Sequence, residues 1–408
     1  MARNKQKYEL FNSCKLLMII AGVWSNKIKF SSDYKRKAYK IYSIGGQLYY
    51  VSCVIPFVIK LYQTIKMKDI ETLTAVLKSV TFITTIIAKM SLCQTEKITK
   101  LISSAIEEEK AISSREDTNI KNIYSLHAKY CSAVVKVLIS ALYISGITCI
   151  AEAFYEAHQY FQDFNYLYPI NKTLAESLKK PHAVQFWFPF DKDKHYVWAM
   201  TYECVHIIQS LIFNGAAQAL INTAMIFLQA ELKILQHCLT HYDKYYLKNP
   251  FVNIGNISVQ TLKVFIVKHQ KIIKWVEDFN HSFQNILLLE YLVISIMLAT
   301  TLVELYQGDN LPFNTFFFML CSMQLFILAW NANEILIESS SGLTDSLYNS
   351  PWYLEEENKT KVLVHIMMMR SLKPLAISIG PFGIMTMNAA LSRMKLAYSV
   401  LSVMSNTS

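Results

Sequence analysis

A chain of 408 residues that is 53% hydrophobic and only 17% charged, with a mean hydropathy of +0.24, falls below the roughly one-quarter charged content of ordinary soluble domains. That deficit argues against a soluble globular fold and directs attention to apolar runs of about 20 residues, the length that crosses a ~30 Å hydrocarbon core. The net charge of +10 could suit nucleic acid, but the basic residues cluster beside apolar runs, where topology and anionic lipid account for them, so no nucleic-acid partner is expected.

In chain order, residues 16–24 (LLMIIAGVW) are too short to cross and lack a small-residue cleavage site, so they read as a re-entrant or interfacial helix and not as a signal peptide. Residues 41–59, free of Lys, Arg, Asp and Glu, form the first expected span. Arg3, Lys5, Lys7, Lys15, Lys27, Lys29, Lys35, Arg36, Lys37 and Lys40 precede it against only Glu9 and Asp33, which places the N-terminus in the cytoplasm. The second span, 70–92, carries Lys78 and Lys89, and the third, 131–151, carries Lys136. Residues 156–198 then mix aromatics, prolines and both charges, and read as an ordered extracellular cap. Asn171 lies there in an Asn-Lys-Thr sequon and is the expected glycosylation site, whereas the sequons at Asn256, Asn280 and Asn358 should be cytoplasmic and unused, and Asn406 sits too near membrane and terminus. The fourth span, 204–230, and the sixth, 310–333, are uncharged; the fifth, 282–303, contains Glu290, and the seventh, 375–404, contains Arg393 and Lys395. Seven crossings leave the C-terminal SNTS outside.

Residues 231–240, 262–280 and 354–370 continue apolar positions at helical spacing among charges, which predicts an intracellular helical anchor built by extensions of spans four to six and the start of span seven. The expected fold is therefore an all-α membrane protein with seven transmembrane helices, N-terminus cytoplasmic and C-terminus extracellular. It divides into a cytoplasmic segment 1–38, spans one to six with the cap over 39–345, and an anchor helix with a terminal helix over 346–408. Eight cysteines without short-spaced pairs read as buried free thiols, and Met367, Met368 and Met369 as core filling. Glu355, Glu356 and Glu357 follow Pro351 at an expected helix start, where acidic groups suit the dipole. Phe316, Phe317 and Phe318 cannot all face one neighbour, so some face lipid while others are available to line a cavity.

There is no GxSxG, Walker loop, HExxH or GxGxxG, so no enzyme and no cofactor is expected. His237 and His241 stand one helical turn apart without a nearby third ligand, and no metal site is expected. Glycine is scarce and no pair of Gly/Pro-broken apolar segments repeats between halves, which disfavours a secondary transporter. In the last segment Ser392, Lys395, Ser399 and Ser402 recur at three- and four-residue steps, with Leu391, Ala397, Val400 and Leu401 broadening the seam. A Lys at membrane depth costs about 2.5–3.5 kcal/mol on insertion scales, so this face should meet either a neighbouring helix through its hydroxyls or a water-filled pore. Both readings stay open at this point.

The C-terminal third resembles the insect odorant receptor signature through Tyr348 and Trp352, the Arg370-Ser371…Lys373-Pro374-Leu375 stretch, and a terminal helix containing Tyr398. KLLMIIAGVW, the PF-rich loop before span four, and HQKIIKWVEDFNHSFQNIL before span five agree in order along nearly the whole chain. Gustatory receptors typically end in Thr-Tyr…Gln-Phe, whereas Ala397-Tyr398 is followed here by SVLSVMS; the co-receptor Orco carries a long insertion between spans four and five, whereas here 241–261 connect them. The resemblance implies a ligand-tuning subunit that joins Orco in a heterotetrameric, ligand-gated, non-selective cation channel of the plasma membrane, in the dendrite of an olfactory neuron, opened by a small volatile odorant. It implies a gate at Leu401, Met404 and Ser405, with Ser405 replacing a large aliphatic residue and weakening a hydrophobic seal. It also implies an odorant pocket in the outer half of the bundle, for which Leu77, Thr81, Tyr143, Gly146, Ile150, Tyr202, His206, Phe213, Phe317, Leu320 and Cys321 have the required depth and spacing. Tyr202, His206 or Thr81 would supply hydrogen bonds. The alternatives are a seven-span G-protein-coupled receptor, which needs the N-terminus outside and finds no DRY after span three, and a gustatory-receptor-like channel.

Overall fold

The computed structural model describes residues 9–24, 32–68, 70–170, 172, 180–245, 254–308, 310–355 and 357–407, with backbone only for 70–72, 74, 254–256 and 403–407. Helix α1 spans Asn12–Ile20. It buries Cys14 and Met18 against the long central helix described below and leaves Leu16 and Ile20 exposed on its other side. Gly22 ends it at φ +69, and a Cβ there would sit 3.0 Å from the Cα of Ser43, so only glycine permits both the left-handed turn and the close approach to the next helix.

That next helix, α2 (Asp33–Ser52), is capped by the Ser32 hydroxyl accepting from the Tyr34 N–H at 3.3 Å. It is interrupted at Cys53, and α3 (Val54–Met67) continues the span with Pro56 in its first turn, where the missing N–H costs least. α4 (Ile70–Cys93) and the amphipathic α5 (Glu96–Ser114) lead to α6 (Thr118–Leu167), whose start is fixed by Asp117 accepting from the N–H groups of Asn119 and Ile120. α7 (Tyr196–Thr240) is the axis of the bundle: 89% of its most apolar stretch is buried inside the chain, against 17–50% for the other membrane-length stretches. α8 (Ile254–Gln307) and α9 (Leu311–Ile337) pack around it, followed by a π-helical turn at Glu338–Gly342, α10 (Leu343–Tyr348), α11 (Asn358–Ser371) and α12 (Met387–Thr407). At 1.5 Å per residue α6, α7 and α8 run about 70–80 Å, more than twice a hydrocarbon core. Among the described residues six helical stretches are long and apolar enough to cross a membrane: Asp33–Met67, Ala75–Cys93, Thr118–Leu167, Tyr196–Thr240, Ile257–Gln307 and Leu311–Leu354.

The expected seventh span, 375–404, is corrected: it is not one helix. Residues 375–386 form a tight hairpin with an antiparallel bridge between Ser378 and Ile384, closed by Met385 N–H to Ile377 C=O and Ile379 N–H to Gly383 C=O, both at 2.8 Å. Pro374 and Pro381 cannot continue a helix, and Gly380 (φ +60) and Gly383 (φ +93) adopt backbone that other residues avoid. The Asn280 amide on α8 grips this hairpin from both sides, donating to Ala376 C=O at 2.8 Å and accepting from Ser378 N–H at 3.0 Å. Only α12 is left, about 30 Å long, and its serines and basic residues keep its hydropathy down.

The far ends of the long helices pack on one another, as the helical spacing beyond the apolar runs requires. Glu355 accepts from Tyr242 OH (3.1 Å) at the end of α7 and from Ser258 OH (2.9 Å) at the start of α8. Gln236 donates to both the backbone and side chain of Glu338 at 2.8 Å, and Gly342 leaves room for it, since a Cβ there would lie 2.5 Å from the Gln236 nitrogen.

Candidate functional site

α4, α7, α8 and α9 converge on a buried polar centre. On α4 the positions Ile83, Ile86, Met90 and Cys93 face the interior, and helical spacing carries Lys89 inward with them. An ammonium inside an apolar bundle must be paired, and its Nζ lies 2.8 Å from Glu290 Oε1 on α8 and 3.0 Å from Asn214 Oδ1 on α7. Gln218, one turn beyond Asn214, donates to the same carboxylate oxygen. Lys89 is 4% and Glu290 2% exposed, so the pair is fully removed from solvent.

Beside this pair is a cavity of about 20 Å³, lined on the polar side by Lys89, Asn214, Glu290 and Gln324 and on the apolar side by residues including Phe82, Ile86, Met297, Phe317 and Cys321. A cavity needs roughly 10–15 Å³ to admit one water, so this one holds little more than that, whereas drug-sized ligands occupy about 300–1,000 Å³. Phe317 separates it from a second ion pair, Lys78–Glu304 at 2.8 Å, with the Lys78 Nζ 5.1 Å from the Phe317 ring centre. The outer pair is partly exposed and the inner one is not.

Of the pocket residues expected from the sequence, Phe317 and Cys321 line this cavity, and Leu320 is buried beside them on α9. Tyr202, His206 and Phe213 are turned away into a solid aromatic cluster. His206 stacks on Tyr50 at 5.3 Å and meets Phe57 and Phe186 edge-on at 5.7 and 5.0 Å, while Phe213 meets Tyr50 at 5.1 Å. Tyr202 OH pairs with Cys53 Sγ at 3.1 Å, and Tyr50 OH with Ser210 Oγ at 3.0 Å, so these hydroxyls are engaged in holding structure, whereas the buried Nδ1 of His206 has no hydrogen-bond partner. Phe186 belongs to the expected cap, which is pinned by Glu203 accepting from Val184 N–H (3.2 Å) and bonded to the His182 ring (2.9 Å). Leu77 is exposed, and the Thr81 hydroxyl donates to the Leu77 carbonyl at 2.7 Å, facing its own helix. Tyr143 is partly exposed and Ile150 half-buried on α6, and Gly146 is the contact that lets α6 meet α7, with Leu211 Cδ1 2.4 Å from where a Cβ would stand. None of these five is a lining residue of the cavity.

Sequence reasoning missed Lys89, Glu290, Asn214 and Gln218 as a unit. The legible signal was an acidic residue alone in one apolar run, Glu290, and two lysines in another, Lys78 and Lys89, which in a membrane chain implies contacts between opposite charges.

On α12, Ala390 and Ala397 are buried against the bundle, and Arg393 lies 4.6 Å from the Tyr291 ring and 5.1 Å from the Phe382 ring, so its charge is used in cation–π contacts within the chain. Ala397 thus belongs to the inward face and not to the serine seam. Ser392, Lys395 and Ser399 are exposed on the other face, with the two hydroxyls donating to their own helix at 2.8 and 2.9 Å. Leu401 is half-buried; the side chains of Met404 and Ser405, and residue Asn171 altogether, lie outside the described residues. His237 and His241 have ring centres 4.7 Å apart, and among the described residues no group of three or more His, Cys, Asp or Glu gathers around them.

The sequence profile of the family described as 7tm Odorant receptor matches residues 68–398. Odorant receptor Or2 of Anopheles gambiae is 31% identical over 147 residues, 35% of this chain and 38% of that protein. Odorant receptor 10 of Aedes albopictus is 26% identical over 219 residues, 50% of this chain and 55% of that protein. The matched stretches therefore span about half the length of these relatives or less. The structure of olfactory receptor OR5 from Machilis hrabei in complex with eugenol superposes with a TM-score of 0.75 at 14% identity over 98% of both chains, and a second structure of OR5 with 0.72 at 14% identity over 97% of both. A profile match over most of the chain, an all-helical bundle with six membrane-length helical stretches, and a fold shared end to end make this multi-pass membrane protein a member of the insect odorant receptor family.

Proposed function

We propose that this chain is the ligand-tuning subunit of an odorant-gated, non-selective cation channel, assembled with Orco in the plasma membrane of an olfactory neuron. The observation that carries the reading is α12. It is just long enough to cross, packs one face on α8 and α9, and leaves uncovered a face where Ser392, Lys395 and Ser399 stand between Leu391, Leu396, Tyr398 and Val400. In lipid such a face is costly, and a shared aqueous pore removes the cost. Leu401, Met404 and Ser405, at the last turns of α12, would form the gate. A small volatile ligand entering between α4, α7, α8 and α9 would favour the open state by binding it more tightly. The N-terminus lies in the cytoplasm, the stitched helix ends form the intracellular anchor, and Asn171 faces outward.

The test is a current recorded from cells expressing this chain with the co-receptor, under an odorant panel. Odorant-evoked cation current is expected, and Ser399→Cys should become sensitive to a water-soluble thiol reagent only while current flows. Asn171→Gln should remove one glycan, and a tag at Met1 should stay hidden on intact cells. Surface-expressed complexes that pass no current under any odorant would overturn the channel reading, and a Met1 tag detected on intact cells would support a G-protein-coupled topology instead.

A further inference from the structure

The Lys89–Glu290 centre has unfinished hydrogen bonding. Glu290 Oε1 takes both Lys89 and Gln218, but Oε2 of the same carboxylate is buried without a hydrogen-bond partner, as is Gln218 Oε1. Lys89 has three N–H donors and spends two, on Glu290 and Asn214. Glu290 lines the 20 Å³ cavity, together with Lys89, Thr85, Asn214 and, on α9, Gln324. A buried acceptor left unmet is costly, and a group that meets it regains that cost on binding.

We propose that this cavity is a recognition site for the hydroxyl group of the activating ligand, and that the chain is tuned to volatile alcohols or phenols over ethers, esters and hydrocarbons of the same skeleton. The inference rests on the odorant-receptor reading and adds the ligand's chemical class. A hydroxyl can donate to Glu290 Oε2 and accept the third N–H of Lys89 at once. An ether or ketone only accepts, and leaves the carboxylate oxygen unmet. A hydrocarbon meets neither. The ion pair is neutral as a whole, so a neutral head suits it, and 20 Å³ fits a hydroxyl with little to spare. The hydrocarbon body would lie against Phe82, Ile86, Met297 and Phe317 once that wall moves aside, with Met297 the most adaptable member.

The experiment is a set of dose–response curves on the complex with the co-receptor, using matched series of one alcohol, its methyl ether, its ketone and its parent hydrocarbon. The alcohol is expected to act at a half-maximal concentration about tenfold or more below the others. In the charge-free double variant Lys89→Met/Glu290→Leu, which removes both ions together, that preference should disappear, read as the ratio of half-maximal concentrations for alcohol and parent hydrocarbon. Glu290→Gln, which keeps the shape, should narrow the preference. Equal potency across each series in the unmodified chain overturns the proposal while leaving the receptor reading intact. So does an alcohol preference that survives in whichever of the variants reaches the surface. If no odorant of any class evokes current, the receptor reading falls and this inference falls with it.

Discussion

At the scale of single residues, two neighbouring carboxylates on α5 show how position decides chemistry. Glu109 is buried where it accepts from the Leu10 N–H and from Tyr124 OH at 3.1 Å, and burial outweighs those bonds to push its pKa up to about 7. Glu108 is also pushed up by burial, but the Lys271 hydrogen bond and the charges of Lys268, Lys271 and Arg115 outweigh that and lower it. The sign for Glu109 follows from its raised value: the folded protein holds this proton to higher pH than the unfolded chain. Its contribution is fully present below about 4.5, declines as pH rises towards 7, and is absent above. Because Glu109 holds Leu10, the entry of the N-terminal segment should be better protected from hydrogen exchange at pH 6 than at pH 8, and Glu109→Gln should flatten that difference. An unchanged pH dependence in the variant would refute the assignment. At this scale the sequence was only partly readable. Phe317 and Cys321 line the cavity, whereas Tyr202, His206 and Phe213 share a face that turns to α2, α3 and the cap. A rotation of one residue is about 100°, and an apolar run offers no polar stripe to fix it.

At the scale of elements, spans one to six were legible because an uninterrupted apolar run has few physical alternatives. The seventh was not, because residues 375–386 are as apolar as a span while containing two glycines and a proline that only a turn explains. Composition averaged over a long window hides such punctuation. The hairpin is held by tertiary contacts that no local pattern announces: Asn280 from α8, and Ser339 of the π-helical turn accepting the Leu375 N–H at 2.8 Å. Asn280→Ala removes one donor and one acceptor and should lower stability by about 1–3 kcal/mol. Because α12 hangs from this hairpin, the variant should also shift the odorant concentration for half-maximal current. A thermal melt of purified complex and a dose–response curve check the two effects, and a melt within error of the unmodified protein would show that the clamp is idle.

At the scale of the whole molecule, composition alone gave the class, since a chain this poor in charge and this rich in long apolar runs must satisfy its backbone within helices. What composition could not give was the order of packing, with α7 enclosed by the other helices and α1 seated against it. Nor could it show how the two sides of the 246–253 connection are fixed. Tyr242 and Ser258, which flank that connection, are both bound to Glu355, and Tyr245 donates to Asp117 at the foot of α6. Side chains on either side thus tie the two helix ends to the same carboxylate. A Gly/Ser insertion grafted into 246–253 that doubles its length should therefore leave odorant responses within about threefold of the parent, because doubling a loop adds only about 0.6 kcal/mol. The same graft combined with Glu355→Ala should abolish them, which makes this acidic residue, and not the linker, the part an engineer of fluorescent biosensors must leave untouched.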